Sequence, residues 1–511
     1  MATAPAVRRG PGRTIGLGAA HRAASCAVLA AAAAGCQSDL RRSVREIDAA
    51  YAQGRYPGAA EIAERAAERN ADDRADQLLW WLQAGRTRQA AGDVAASIAW
   101  YDRAYEAVRP YLDSKAEATV SEALVTTAVN QTMRIYRATP PERIMLCALQ
   151  GANRLASGDL AGARVEFNRA ADFQQDAVSR FAQEINAAQE RTNAEWKSGG
   201  WATGISTDAT AKVRQAQERP ASALGMSSFG NPFASYLRAA FLLATSTDPG
   251  DRQNARADLR GVQEMLPGCA EAAADIAAID AGGGPPPVTW IFFLTGVAPT
   301  YREFRLDIPI PVGNVNYVSA AFPVLERRGA FIPAIDAGGA RSSTIADLDA
   351  AVEAEFDARL PLIVTQEIVS SAGKAAATWA ASQAAYQQDS TAGVLVQIVG
   401  IAYQAASTAA DLRAWTTMPK QVALLRVPTP ADGALEVRAG GGEGQPGRTL
   451  CTLALAPGAP NIVIMTLPSA AAPHPAVLQY RGGGGSEIAP GAPAAAAPGA
   501  PPTSAATGDS P

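Results

Sequence analysis

The sequence predicts a mostly α-helical first half built as a helical-hairpin solenoid, then an α+β domain, then a disordered C-terminal tail. Three observations support this prediction. Segments with the helical period recur around glycine turns up to about residue 280. Beyond the Gly- and Pro-rich run 282–287 the apolar pattern becomes that of strands. After Tyr480 the chain is nearly all Gly, Pro, Ala and Ser, which bury too little apolar surface to offset the entropy lost on ordering.

Length and charge limit the function classes. At 511 residues the chain exceeds what one core usually fills. We predict a leader at 1–35, a helical domain at 36–280, an α+β domain at 288–481 and a tail at 482–511. All charges of the first 35 residues are basic (Arg8, Arg9, Arg13 and Arg22), so without them the formal net charge of −4 becomes −8. An acidic chain argues against a nucleic-acid partner, which would need a basic surface.

The first 36 residues resemble the signal of a bacterial lipoprotein. A basic stretch is followed by a short run of mostly small apolar residues at 23–34 and then by Gly35-Cys36. The run is too short to cross a bilayer, which needs about 20 apolar residues. The resemblance implies cleavage before Cys36 and acylation of this cysteine, which would hold the protein on the membrane. Gln37, where retained lipoproteins have Asp, favours the outer membrane, with the protein facing the periplasm. The alternative is an ordinary secretory signal that leaves Cys36 a free thiol.

The stretch 143–171 predicts two helices back to back, with the turn at Ser157-Gly158-Asp159. Ala163, Phe167 and Ala170 then share one helical face. Gly151 would let a second helix approach closely, because it has no side chain to hold the backbones apart. Such a hairpin cannot bury its apolar face alone, so stacked neighbours are expected.

Similar patterns surround Gly54, Gly92, Gly158 and Gly250. With small and aromatic residues at the matching helical positions, they resemble the tetratricopeptide repeat. The glycines are unevenly spaced, so additional helices are expected between hairpins, one of them at 114–137. We interpret 199–231 as a long connection that folds over the inner surface of the solenoid.

The second half predicts strands at 288–294, 304–310, 317–322 and 330–335, and again at 422–427, 435–438, 450–455 and 461–467. A helix between the two groups is predicted to start at Thr344, with Asp347 completing a capping box. Two further helices are predicted at 361–388 and 392–410. Helices inserted between two groups of strands indicate an α+β domain.

Several stretches are similar to one family of uncharacterised bacterial envelope lipoproteins. They are Gly296-Val297-Ala298-Pro299 with Glu303 and Pro309, Ala321-Phe322-Pro323, Ala410-Asp411-Leu412-Arg413-Ala414-Trp415 with Pro419, Glu142-Arg143, and Ala163-Arg164-Val165-Glu166. The resemblance covers roughly residues 45–440 and implies a tetratricopeptide-like half joined to an α+β half. It implies no activity.

Residues that could support catalysis are scarce. After processing, His474 is the only histidine, and it stands among Ala and Pro, so no Ser-His-Asp or Cys-His triad is expected. Cys147, Cys269 and Cys451 have no zinc-site spacing and allow at most one disulfide. Ser371-Ala372-Gly373-Lys374 matches the S-x-x-K of penicillin-recognising hydrolases, but neither S-D-N nor K-T-G follows, and we expect a surface Ser and Lys on a helix. No cofactor is expected.

The leading hypothesis is therefore a lipid-anchored scaffold of the cell envelope that binds a protein partner through its helical repeats and catalyses nothing. Its α+β domain would pack beside the repeats or bind independently. The alternative is a cell-wall hydrolase that uses Ser371 and Lys374, or a carboxylate pair, whose two acids need no fixed spacing. A third reading is a purely structural protein whose inner surface is filled by its own chain.

Overall fold

The structure, a computed structural model, describes residues 39–112, 135–196, 201–217, 230–282, 287–312, 315–387, 409–441, 447–482 and 485–489. Its first half is helical and the region that follows contains the sheets, as the sequence predicts. The change occurs between Asp280, which ends the last helix of the first half, and Val288, which begins the first strand. It therefore falls at the Gly- and Pro-rich run.

The helices of the first half form successive antiparallel pairs. They are α1 (39–52), α2 (Tyr56–Arg69), α3 (Gln77–Ala90), α4 (Val94–Val108), α5 (Pro140–Ala156), α6 (Leu160–Trp196), α7 (Trp201–Ala216), α8 (Pro232–Thr245), α9 (Pro249–Met265) and α10 (Ala270–Asp280), with a 3-10 turn at Arg109–Leu112.

Of the four glycines around which the sequence patterns recur, three occupy the predicted helix–helix turns. Gly54, Gly92 and Gly158 have φ values of 73°, 82° and 82°, a conformation that other residues rarely adopt. Gly250 does not, because it lies in the first turn of α9, whose N-cap is Asp248. The prediction of a fourth turn at Gly250 is wrong, since the Asp248 cap and Pro249 start the helix before this glycine.

Two hairpins each contain a close contact between a glycine on one helix and an aromatic ring on the other. A Cβ atom at Gly85 would lie 2.4 Å from the ring of Tyr101, and one at Gly151 would lie 2.4 Å from the ring of Phe167. In both pairs the aromatic residue comes 16 positions later, on the facing helix. The predicted close approach at Gly151 is confirmed, as is the buried face of Ala163, Phe167 and Ala170.

Two further predictions for the first half are wrong. Helix α7 lies inside 199–231, where we predicted a connection, and its Ala209 and Val213 pack in a core with strands and a helix of the second half. Residues 135–139 are not helical, although we predicted a helix through 137. The remainder of that predicted helix, 114–134, lies outside the described residues.

The second half contains twelve described strands and one long helix. They are β1 (Val288–Thr295), β2 (Thr300–Val312), β3 (Val315–Glu326), β4 (Ile335–Ala337), β5 (Ala340–Arg341), β6 (Ser343–Asp347), α11 (Leu348–Tyr386), β7 (Gln421–Pro428), β8 (Ala434–Ala439), β9 (Thr449–Ala454), β10 (Asn461–Leu467), β11 (Ala476–Arg481) and β12 (Gly485–Ala489).

The first sheet is built around β1 and has the strand order β12-β11-β10-β1-β7-β6. Strand β1 pairs in parallel with β10 and antiparallel with β7, and all of its residues are buried. Because side chains alternate across a strand, its two faces enter different cores. Trp290 and Phe292 belong to the core that the helices share, whereas Ile291 and Phe293 belong to the core formed with a second sheet. This second sheet has the order β5-β4-β8-β9.

Strands β2 and β3 form a long separate hairpin. Its apolar face packs on α7 and α11 through Val318, Phe322, Phe356 and Leu360. We call this layer of β2, β3, α7 and α11 the arm. Helix α11 runs continuously through Pro361, so the separate helices that we predicted on either side of this proline are wrong.

Local predictions in the second half need further corrections. Helix α11 begins at Leu348 and its N-cap is Asp347, so residues 344–347 belong to strand β6 and not to a helix. The strand predicted at 330–335 starts only at Ile335. Within the tail predicted to be disordered, β12 pairs with β11, because an edge strand offers backbone partners that local composition does not reveal. Ala409 and Ala410 are not helical, and the rest of the helix predicted at 392–410 lies outside the described residues.

The helical half and the first sheet share one hydrophobic core. Leu146, Leu149 and Phe233 from the helices belong to the same buried cluster as Trp290 and Leu424 from the sheet. The ring centroids of Phe233 and Phe292 lie 5.6 Å apart across this boundary. The α+β half is therefore packed beside the helices, which is one of the two arrangements that the sequence left open.

Candidate functional site at the junction of the two halves

Residues 409–420 form an irregular segment between the helical half and the first sheet, just before β7. We call it the junction segment. It contains the Ala410–Trp415 stretch on which the family resemblance partly rests. Trp415, Thr416 and Thr417 are at most 2% exposed, so their polar groups need partners inside the protein. Those partners come from three other parts of the chain.

Glu142 provides the first set of contacts. It is the third residue of α5 and forms a capping box with Thr139. Its Oε1 atom accepts hydrogen bonds from the Tyr136 hydroxyl at 2.6 Å and from the Trp415 amide at 3.0 Å, and Oε2 accepts from the Thr139 amide at 2.7 Å. A carboxylate in the first turn also interacts favourably with the helix dipole. One side chain thus caps α5 and holds the junction segment.

Arg413 provides the second set of contacts. Its guanidinium donates to Asp76 at 2.8 Å, to Asp411 at 2.7 Å and to the Ala75 carbonyl at 3.1 Å, and it lies over the ring of Tyr136. Burial works against the charge of Arg413, but Asp411 and Asp76 outweigh it and raise the pKa of the guanidinium. Burial raises the pKa of Asp76, which Arg413 partly counteracts. The arginine therefore clamps the start of α3 to the junction segment. We call Asp76, Tyr136, Glu142, Asp411, Arg413 and Trp415 the junction cluster.

Helix α3 contacts the junction segment through its buried face. Gln83 donates to Thr416 Oγ1 at 2.8 Å and accepts from Thr417 Oγ1 at 2.7 Å. The Trp415 indole donates to Thr417 at 3.1 Å and packs edge-on against Tyr101, with ring centroids 6.0 Å apart. Tyr101 is the residue that also contacts Gly85, so the hairpin of α3 and α4 shapes the pocket that Trp415 fills.

Further polar contacts cross between the halves. Arg328 bonds to Asp48 on α1 and to the Thr416 carbonyl, and Arg86 on α3 donates to Thr466 on β10 at 3.0 Å. Asp275 on α10 is fully enclosed. It accepts from Tyr236 at 2.5 Å, from the Trp290 indole at 2.9 Å and from Arg426 at 2.7 Å. Replacing one partner of such a buried network leaves the others unsatisfied.

A second carboxyl group lies in electrostatic range of Glu142. Glu355 of α11 is buried, which raises its pKa; its ion pair with Arg359 acts in the opposite direction and Glu142 adds to the increase. Burial and Glu142 together raise the pKa of Tyr136 well above its ordinary value. The structure thus places Glu355, which no motif singled out, within electrostatic range of Glu142. Glu142 accepts from Tyr136, Thr139 and Trp415, and so positions these three residues.

Ser371 and Lys374 lie one turn apart in α11, at its contact with the β2–β3 hairpin. Ser371 is buried, so the expectation of a surface serine is wrong. The neighbouring Ala372 and Ala375 belong to the arm's core, which explains why this turn is covered. Burial lowers the pKa of Lys374, and Glu367 counteracts this.

The other predicted site residues lie apart from the junction. Cys36 precedes the described residues. Cys147, Cys269 and Cys451 form no disulfide in the described part of the chain, and burial raises their thiol pKa values, to about 11 for Cys269 and about 12 for Cys451. The His474 carbonyl accepts a hydrogen bond from Tyr56 at 3.2 Å.

The described residues contain neither a group of three or more His, Cys, Asp or Glu that could hold a metal ion nor a helix long and apolar enough to cross a membrane. The chain matches no protein-family model, no curated protein and no solved structure. The features that bear on function are therefore the junction cluster and the surface of this chain.

Sequence reasoning found part of this site without recognising it as one. Glu142, Glu303, Asp411, Arg413 and Trp415 all belong to the stretches that carry the family resemblance, and Glu303 accepts from the Ala410 amide at 3.2 Å. Their separation by up to 273 positions hid their contact. Asp76, Gln83 and Tyr136 carried no signal beyond being polar or aromatic residues in helical sequence.

Proposed function

We propose that this protein is a lipid-anchored scaffold of the cell envelope, held to the outer membrane through Cys36 and binding a protein partner without turnover. In this proposal its helical hairpins are tetratricopeptide-like units. The observation that carries the proposal is the junction cluster. Glu142 and Arg413 use their charges to fasten one half of the chain to the other. A body fastened in this way presents a fixed surface, which lowers the ordering cost of binding a partner.

The sides of α3 and α5 that contact the second half are already covered. Leu146 and Leu149 of α5 are buried in the core shared with the first sheet, and Gln83 of α3 bonds to the junction segment. Removing the helical half would uncover the apolar face of this sheet, so deletion is a poor test of binding. The partner must use another surface, and point variants must find it.

The end of α11 is the position we would probe first. Trp379 and Tyr386 are 38% and 37% exposed and lie seven residues apart, which places them on one side of the helix. Large aromatic side chains are enriched among the residues that dominate protein–protein binding. We therefore assign the partner contact to this part of the arm.

Site-specific photocrosslinking in envelope membranes tests the assignment. A photoreactive amino acid at position 379 should capture one envelope protein, identified by mass spectrometry, that the same amino acid at Val165 on α6 does not capture. Val165 is a suitable control because it is 48% exposed and lies in a different helix. Capture of the same proteins from both positions, or of none at position 379, would contradict the proposed contact.

Lipidation is tested separately. Metabolic labelling with a palmitate analogue should mark the wild-type protein and leave Cys36→Ser unlabelled, because the acyl chains attach to this cysteine. The variant should also leave the membrane fraction on washing. Equal labelling of both proteins would contradict the anchor.

The hydrolase alternative has its own test. Binding of the captured partner should survive Ser371→Ala, Lys374→Ala and Glu355→Gln. Purified protein that cleaves peptidoglycan or a penicillin-like reporter, and loses this activity in Ser371→Ala or Glu355→Gln, would replace the scaffold proposal.

A further inference from the structure

Five exposed arginines lie together where the described chain begins. Arg41, Arg42 and Arg45 are on the first turns of α1, and Arg65 and Arg69 are on the last turns of α2. The two helices are antiparallel neighbours, and Arg69 Nη2 donates to Ser43 Oγ at 3.3 Å across them. We call these five residues the arginine patch.

Most arginines of the patch form no ion pair within the described part of the chain. Of its members, only Arg42 forms an ion pair within the described part of the chain, with Asp39 at 3.4 Å. Arg45 and Arg69 each donate to a backbone carbonyl one turn earlier. Exposed Glu46, Glu68, Asp72 and Asp73 lie nearby, and over residues 39–46 and 65–74 there are six arginines and five acidic residues. The chain from residue 36 onward has a formal net charge of −8, whereas these two stretches carry one positive charge in excess.

The position of the patch indicates what it meets. Residue 39 follows Cys36 by three residues, and a chain of this length spans at most about 10 Å. Electrostatic attraction to a charged surface acts over a Debye length of about 8–10 Å at moderate salt. A lipid on Cys36 would therefore hold the first turn of α1 within range of the phospholipid headgroups.

We infer that the arginine patch binds the anionic phospholipid headgroups of the membrane to which the protein is anchored. This inference rests on the proposed anchor at Cys36. The acyl chains would fix one point of the molecule, and the patch would add a second contact that turns the start of α1 and the end of α2 towards the membrane. The acidic remainder of the protein would then face away from the anionic surface.

Vesicle binding by the unlipidated chain, residues 37–511, tests the patch independently of the anchor. The probes are phosphatidylcholine vesicles and vesicles with equal parts of phosphatidylcholine and phosphatidylglycerol, compared by co-sedimentation at low and moderate salt. We expect binding to the anionic vesicles only, weakening as salt rises. Each arginine near an anionic surface contributes about a fivefold change in partition. The Arg41→Gln/Arg45→Gln/Arg65→Gln protein should therefore bind about 100-fold more weakly.

The matched control removes the same charge elsewhere. Arg55, Arg260 and Arg341 are also exposed arginines but lie outside the patch, at the opposite end of α2, on α9 and on β5. The triple Gln variant at these positions should bind as the wild type does. Equal weakening of both variants would show that net charge alone acts, and no binding of the wild type to anionic vesicles would overturn the inference. Either result would leave palmitate labelling of Cys36, and hence the anchor, intact.

Discussion

Replacing Glu142 by alanine should lower the free energy of unfolding by about 4 kcal/mol. The substitution leaves the Trp415 amide and the Tyr136 hydroxyl without an acceptor in a buried site, and each such loss costs about 1–3 kcal/mol. It also removes the capping-box bond to Thr139, worth about 1 kcal/mol. Denaturant unfolding followed by circular dichroism measures the change.

Asp93→Ala is the matched control. Asp93 caps α4 by accepting from the Ala96 amide at 3.1 Å, but it is exposed, and among the described residues its partners Ala96 and Arg88 both lie in the first half. Its loss should cost about 1 kcal/mol, the ordinary value of a helix cap. If the two variants unfold at the same denaturant concentration, Glu142 is only a cap and does not fasten the halves.

Gly151→Leu should destabilise the protein by about 3 kcal/mol or more. A Cβ atom at this position would already lie 2.4 Å from the Phe167 ring, and the remaining leucine atoms need further space. Phe167 cannot easily withdraw, because it packs against Phe241 with ring centroids 5.1 Å apart. Overpacking of a tight core typically costs about 1–3 kcal/mol, and here two backbones must separate as well.

Gly261→Leu provides the comparison within the same kind of element. Gly261 is also inside a helix, α9, but a Cβ atom there would meet nothing within 4 Å. Leucine has the higher helix propensity by up to about 1 kcal/mol, so this variant should be as stable as the wild type or slightly more. Equal destabilisation by both substitutions would mean that helix α5 does not approach Phe167 as described.

The sequence predicted best where a local pattern determines the structure. The turns at Gly54, Gly92 and Gly158 need a left-handed conformation, and the glycine itself indicates such a turn in the sequence. The strand predicted at 461–467 coincides with β10, because a buried strand is a continuous apolar run between turn residues. Each of these two signals is contained within a few consecutive residues.

The predictions failed where distant packing overrides the local pattern. Pro361 normally ends a helix, yet α11 continues through it, because Phe356, Leu360 and Val364 on both sides pack on the same hairpin. Helix α7 lies in sequence that looks like a connection, and strand β12 in sequence that looks disordered. The packing partners of α11 and α7 come from remote parts of the chain, whereas β12 pairs with the preceding strand β11.

The junction cluster illustrates the same limit for function. Glu142 and Trp415 were each marked by family resemblance, but nothing in the sequence shows that they bond to each other. The hypothesis of a partner groove on the inner helical face also came from local pattern alone. In the structure, α5 shares a core with the first sheet and Gln83 of α3 bonds to the junction segment, so the search for a partner moves to the arm.

The central claim, that the junction cluster makes the two halves one body, is tested most directly by hydrogen exchange. Mass spectrometry would compare the amide protection of α5 with that of β1 and β10 in wild-type protein and in Glu142→Ala. Our account predicts that both regions lose protection together and by the same factor, since one core and one set of buried bonds serve both. Faster exchange in α5 alone, with β1 and β10 unchanged, would contradict it.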